Sequence, residues 1–250
     1  MASTKVIPLA MLLVGAAAGP SIAASPELAD LAARIEYGYY SNEPRLIQAA
    51  RDALLRADDD DSGVAYYRAL AAFRLAELGL PRGASVGRWL DDCESHVAPE
   101  EAKGPAAAEA WILVAACANL AAHTEPLRAL LHQHRREQAL EKARELDPAN
   151  PRIMVVEAWS LSLNPAAEAP DVRDRVADVL ERAVAGFDTW TSKQAEPPEW
   201  GEAEALAQLG AIYLARGSTR EARDLLERAL LLAPDYQYAS RVRDGLRARL

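Results

Sequence analysis

The sequence predicts an all-α protein, a solenoid of about five stacked helical hairpins closed by a C-terminal capping helix. Three observations carry this. Half of the 250 residues are apolar and only 6% are aromatic; alanine and leucine dominate and β-branched residues are sparse, a balance that favours helix. No stretch sustains the period-two alternation of a strand. Helical runs recur in pairs, separated by short Pro-, Gly- or Asp-containing breaks, and each pair spans roughly 35 to 47 residues, the period of helical repeat arrays.

Taken in order, the first segment, MASTKVIPLAMLLVGAAAGPSIAAS, stands apart. Lys5 precedes an apolar run from Val6 to Ala18, then Gly19-Pro20 and the small residues around Ala23. This is the pattern of a signal peptide over residues 1–24, cleaved after Ala23 or Ala24. Its apolar core is too short to span a bilayer comfortably. The mature chain is therefore expected to be exported, to a bacterial periplasm, without stable membrane insertion. Losing Lys5 takes the net charge from −9 to −10.

The hairpins follow. PELADLAARIEYGYY and EPRLIQAARDALLRA form the first, broken at SNEP and ended by DDDDSG. GVAYYRALAAFRLAELG and ASVGRWLDDCESHV form the second, on either side of LPRG. GPAAAEAWILVAACANLAA pairs with LRALLHQHRREQALEKARELDP across HTEP. NPRIMVVEAWSLSL pairs with DVRDRVADVLERAVAGF across NPAAEAP. After the loop TWTSKQAEPPEWG come EAEALAQLGAIYLA and TREARDLLERALLLAP, then the tail YQYASRVRDGLRARL. Tyr236, Ala239, Val242 and Leu246 give that tail one apolar stripe, as a helix covering the open end of an array needs.

The last hairpin carries a recognisable pattern. Leu206, Leu209, Gly210 and Tyr213 lie in its first helix, and Ala222, Leu226, Ala229 and Pro234 in its second. These residues at these spacings resemble a tetratricopeptide repeat (TPR) over 203–236. Small side chains at Gly210, Ala222 and Ala229 suit the point where two helices touch, and Pro234 has no N–H to continue the second helix. The resemblance weakens upstream: Arg136 and Glu157 stand where Ala and Leu are expected. It divides the mature chain into degenerate hairpins over 25–125 and TPR-like repeats with the cap over 126–250. Asn150-Pro151-Arg152 opening one helix, and Pro198-Glu199-Trp200-Gly201 before the last repeat, make the chain similar to a group of exported bacterial TPR proteins. AAEAPDV departs from the glycine-rich loop usual there. That resemblance implies a fold and no activity.

Several chemistries lack support. A net charge of −9 argues against nucleic-acid binding, which needs clustered Lys and Arg. No H-E-x-x-H, paired C-x-x-C, G-x-S-x-G or glycine-rich phosphate loop occurs, so no catalytic residue, cofactor or metal is expected and the protein is read as non-enzymatic. DDDDSG invites comparison with a calcium loop through Asp58, Asp60, Ser62 and Gly63. Its twelfth position is Ala69 rather than the bidentate Glu such loops use, so a solvated turn is the simpler account. His132 and His134, two apart on a helix, point to different faces.

Cys93 and Cys117 are an even pair in an oxidising compartment, which invites a disulfide. Flush antiparallel helices would leave them offset by about 12 Å along the axis, too far for a bridge. Two buried thiols are the alternative.

In TPR arrays the first helices line a concave surface. The register places Glu204, Ala207, Ala211 and Leu214 of the last hairpin on it, with Arg152, Val155, Trp159 and Ser162 of the one before. Such a groove suits an extended peptide or helix of another protein, and a protein-binding scaffold is the function expected. A periplasmic small-ligand carrier using the same concavity is the alternative. A closed, aromatic-lined pocket would favour the carrier, and an open groove the scaffold.

Overall fold

The computed structural model describes residues 26–57, 62–97, 105–163, 169–192 and 198–247. The expected signal peptide, the acidic run 58–61 and residues 164–168 of the NPAAEAP loop lie outside them. The described residues hold eleven α-helices and no strand. They are α1 (Pro26–Tyr40), α2 (Pro44–Leu54), α3 (Ser62–Gly79), α4 (Gly87–His96), α5 (Pro105–Thr124), α6 (Ala129–Leu146), α7 (Pro151–Ser162), α8 (Pro170–Thr189), α9 (Glu202–Ala215), α10 (Thr219–Leu232) and α11 (Gln237–Arg247). The expected hairpins are all present: odd helices pack on the even helices that follow them, and α11 lies on α9 and α10.

Local chemistry explains the boundaries. Proline opens α2, α7 and α8, where its missing N–H costs nothing and its fixed φ suits the first turn. Asn150 caps α7 by accepting the Arg152 N–H. Gly201, at φ 110°, begins α9 in a conformation that disfavours any side chain. Its N–H donates to the Glu204 carboxylate at 2.8 Å.

Small residues set the helix approaches. A Cβ on Gly210 would meet Leu226 Cγ at 2.9 Å, and one on Gly38 would meet Ile47 Cγ1 at 2.8 Å. Ala222 and Ala229 are sealed beneath the same contact. Helix α5 is apolar enough and long enough to cross a membrane, yet 78% of that span is buried inside the protein. It is the central core helix.

The cysteines are bonded to each other, with Cα atoms 6.4 Å apart. The expected offset fails because the ten-residue α4 does not run flush with the twenty-residue α5. Its Cys93 turn faces the middle of α5, where Cys117 lies.

The array curls until its ends touch. Tyr39 and Tyr40, at the end of α1, pack at tilted and edge-on angles against Tyr236, just before α11, with ring centroids 6.2 and 4.9 Å away. The Trp200 indole N–H donates to the Tyr66 hydroxyl at 2.9 Å, tying the approach to α9 back to α3.

Candidate functional site

Closure turns the concave face into a cavity of about 620 Å³. Its lining comes from the first helix of each of the five hairpins, from the turns after α1 and α3, and from the start of the cap. None comes from a second helix. Along each contributing helix the lining residues recur at helical spacing: Phe73 and Glu77 on α3, Asn119, Leu120 and His123 on α5, Trp159 and Ser162 on α7, Glu204 and Gln208 on α9. Residues three or four apart share a helix face, so each hairpin turns one face inward.

The walls are aromatic. Phe73 stacks on Trp159 at 6.0 Å, and Trp159 on the fully buried Trp200 at 5.8 Å. Tyr39, Tyr40, Tyr236 and Tyr238 form a second chain of rings, with Tyr236 and Tyr238 centred 6.0 Å apart. Burial holds the hydroxyls of Tyr39, Tyr40 and Tyr236 far above their usual titration range, and neighbouring carboxylates add to this. They remain protonated donors. Tyr40 donates to Glu204 Oε2 at 3.0 Å.

Beneath these rings lies a buried charge cluster. The Arg74 guanidinium, completely buried, binds Glu204, Glu77 (2.8 Å) and Glu36 (3.4 Å). It also sits 3.7 Å from the centre of the Tyr39 ring, close enough for a cation–π contact. Burial raises the Glu36 carboxyl to about 7; Arg74 opposes the rise, and Glu204 and Glu77 reinforce it. Burial likewise raises Glu77. The rim is polar: His123, Gln237 and Arg241 are exposed there.

The residues expected in the groove divide. Trp159, Ser162 and Glu204 line the cavity. Arg152, Val155 and Ala207 are buried instead. Arg152 is drawn inward by Glu109 at 3.2 Å and by the carbonyls of Trp200 and Pro198, because an array curled this tightly buries the start of α7 against the loop before α9. Ala211 and Leu214 are half-buried on α9 beyond the lining. Cys93 and Cys117 are buried elsewhere in the core. Gln208 was findable in the sequence as the residue one turn after Glu204. Tyr39, Phe73, His123 and Tyr236 were not, because the register upstream of residue 126 and the closure had no local signal. Among the described residues no group of three or more His, Cys, Asp or Glu side chains is placed to hold a metal ion.

No family model matches the chain, and no curated protein matches it. Two solved structures share its architecture. A thermophilic TPR protein of Thermus thermophilus aligns over 88% of this chain and 97% of its own, with a TM-score of 0.51 and 17% identity. The fold is TPR-like. The HusA haemophore of Porphyromonas gingivalis aligns over 80% of this chain and 96% of its own, with a TM-score of 0.58 and 24% identity. At these identities the likeness extends to the helical-repeat fold of this TPR-like array and no further.

Proposed function

We propose that this TPR-like protein is an exported, non-enzymatic carrier that holds a small, flat, largely apolar ligand in its open-mouthed, aromatic-lined concavity. The observation that carries the reading is the set of aromatic side chains, drawn from the first, second and fourth hairpins and the start of the cap, around one cavity of about 620 Å³. That volume falls among small-molecule sites, which are mostly apolar with a few placed polar groups. Stacked rings complement a planar ligand, and a preformed wall loses little conformational entropy on binding. The haemophore among its structural neighbours makes a tetrapyrrole the first ligand to try. Export rests on the N-terminal Lys5, the apolar run and the small residues near Ala23.

Titration with haemin, followed by the visible absorption band and by tryptophan quenching, tests this. Binding with a dissociation constant in the micromolar range or tighter, weakened at least about tenfold in Trp159→Ala, is the expected result. Unchanged binding in that variant sinks the assignment to this concavity.

A second reading has one observation in its favour. Leu127, Leu130 and Leu131, at helical spacing just past His123, are more than half exposed, as a surface that meets another protein would be. In that reading the array is a cell-envelope scaffold that meets a protein partner on this leucine face, outside the cavity. Affinity capture from an envelope extract, with Leu130→Ser as control, discriminates. A partner lost in Leu130→Ser but kept in Trp159→Ala favours the scaffold.

A further inference from the structure

Two buried acceptor oxygens at this cavity and behind it have no donor. Gln208, which lines the cavity, leaves its Oε1 without a partner. Its Nε2 donates to the Ser162 hydroxyl at 2.6 Å, that hydroxyl donates to the Ala158 carbonyl at 2.9 Å, and Oε1 faces away. Glu36 Oε1, in the charge cluster, is also buried and unpartnered, as is the Arg74 Nε donor beside it. Buried acceptors are normally satisfied, so each such exception calls for an explanation.

Charge points the same way. Three carboxylates, Glu36, Glu77 and Glu204, surround one guanidinium, that of Arg74. Two of the three line the cavity. The tyrosine rings beside them present π faces, which attract cations. The cationic side chain on the lining itself, Arg241, stands at the exposed rim. Burial lifts the Glu36 and Glu77 carboxyls above their usual range against the pull of Arg74.

We propose that the cavity selects ligands carrying a protonated amine on a flat apolar body, with the ammonium directed to Gln208, Glu77 and the tyrosine rings. The inference rests on the small-ligand reading and adds the chemical class. An ammonium supplies both missing features, hydrogen-bond donors and positive charge. A ligand carboxylate has one compatible place, the Arg241 rim.

Three probes of one shape test it by calorimetry: 1-naphthylmethylamine, 1-naphthylmethanol and 1-naphthoate. The amine is expected to bind at least about tenfold more tightly than the alcohol, and the carboxylate weakest. Gln208→Met and Glu77→Gln should each remove most of the amine's advantage while leaving the alcohol's affinity within about threefold. Gln208→Met leaves the Arg74 cluster untouched, so it decides the matter even where Glu77→Gln unfolds. Equal affinity for amine and alcohol, or a preference for the carboxylate, overturns the amine selection and leaves the small-ligand reading standing. No binding by any of the three at about 1 mM, with haemin also failing, overturns both.

Discussion

Arg74 on α3 pairs with Glu204 on α9, 130 residues later in the chain, and both side chains are sealed from solvent. Neither helix packs on the other as a hairpin partner, so this contact joins the second hairpin directly to the fifth. It holds the array curled around its cavity.

Removing the guanidinium would strand three carboxylates in the interior. Breaking a buried pair from one side leaves uncompensated charge and costs about 3–5 kcal/mol. Arg74→Met is expected to lose that much in urea unfolding. Adding Glu36→Gln and Glu204→Gln should restore at least half of it, since the penalty lies in the orphaned charge rather than in the lost contact.

The same cluster sets a pH dependence. Glu36 has an ordinary value of 4.5 and about 7 in the folded protein. Between those values the native state keeps a proton that the unfolded chain has lost. Stability therefore falls as pH rises through this window and levels off above about 7. The groups facing Glu36 are Arg74 and Glu77 from α3 and Glu204 from α9. Glu36→Gln should remove this contribution, on the order of 1–3 kcal/mol. The check is the difference in melting temperature between acidic and alkaline buffers: wild type should lose several degrees more than the variant on going alkaline.

The Cys93–Cys117 bond closes a loop with a sequence separation of 24. Cross-linking a loop of that length restricts the unfolded chain by about 3 kcal/mol. Cys93→Ser/Cys117→Ser, or wild type under reductant, should melt lower by an amount consistent with that loss. Ligand affinity should be unchanged, since neither residue lines the cavity.

What was legible in the sequence was periodic or local. Gly210, Ala222, Ala229 and Pro234 announced the last hairpin because helix contact and helix termination each demand particular residues at fixed spacing. Trp159, Ser162 and Glu204 were placed on the concave face by the same register. The closure left no such trace. Tyr40 and Tyr236 read as ordinary amphipathic positions within their own segments, and only the curl of the whole array brings their rings to 4.9 Å. Glu36 and Arg74 look like members of solvated helix faces, where charged residues normally lie. Their burial is a tertiary fact. Arg152 misled for the same reason, since its register was right for a concave face but its partner Glu109 lies in another hairpin.

Gly210 separates spacing from chemistry. A Cβ there meets Leu226 Cγ at 2.9 Å, so Gly210→Ala should destabilise, although alanine favours helix over glycine by about 1 kcal/mol. Overpacking costs about 1–3 kcal/mol, and the net loss should appear in urea unfolding. Gly210→Ala/Leu226→Ala removes the clash but leaves a cavity, so it should not return to wild-type stability.

The closure itself gives the sharpest contrast between shape and stability. Tyr236 touches the rings of Tyr39, Tyr40 and Tyr238 and lies on the cavity wall. Tyr40 adds a hydrogen bond to Glu204. Tyr236→Ala removes the ring that joins first and last hairpins. Truncating a buried aromatic costs about 3–5 kcal/mol, yet each hairpin keeps its own neighbours, so the array should open rather than unfold. Small-angle scattering should then show a larger radius of gyration with helical circular dichroism preserved. Tyr40→Phe keeps the ring and loses only a bond to a charged acceptor, about 1.5–3 kcal/mol, so its radius should stay at the wild-type value. An unchanged radius in Tyr236→Ala would mean that the Arg74–Glu204 pair, with the Tyr40–Glu204 and Trp200–Tyr66 hydrogen bonds, keeps the array closed. In that case the Arg74→Met variant, carrying Glu36→Gln and Glu204→Gln to keep it folded, is the one that should open.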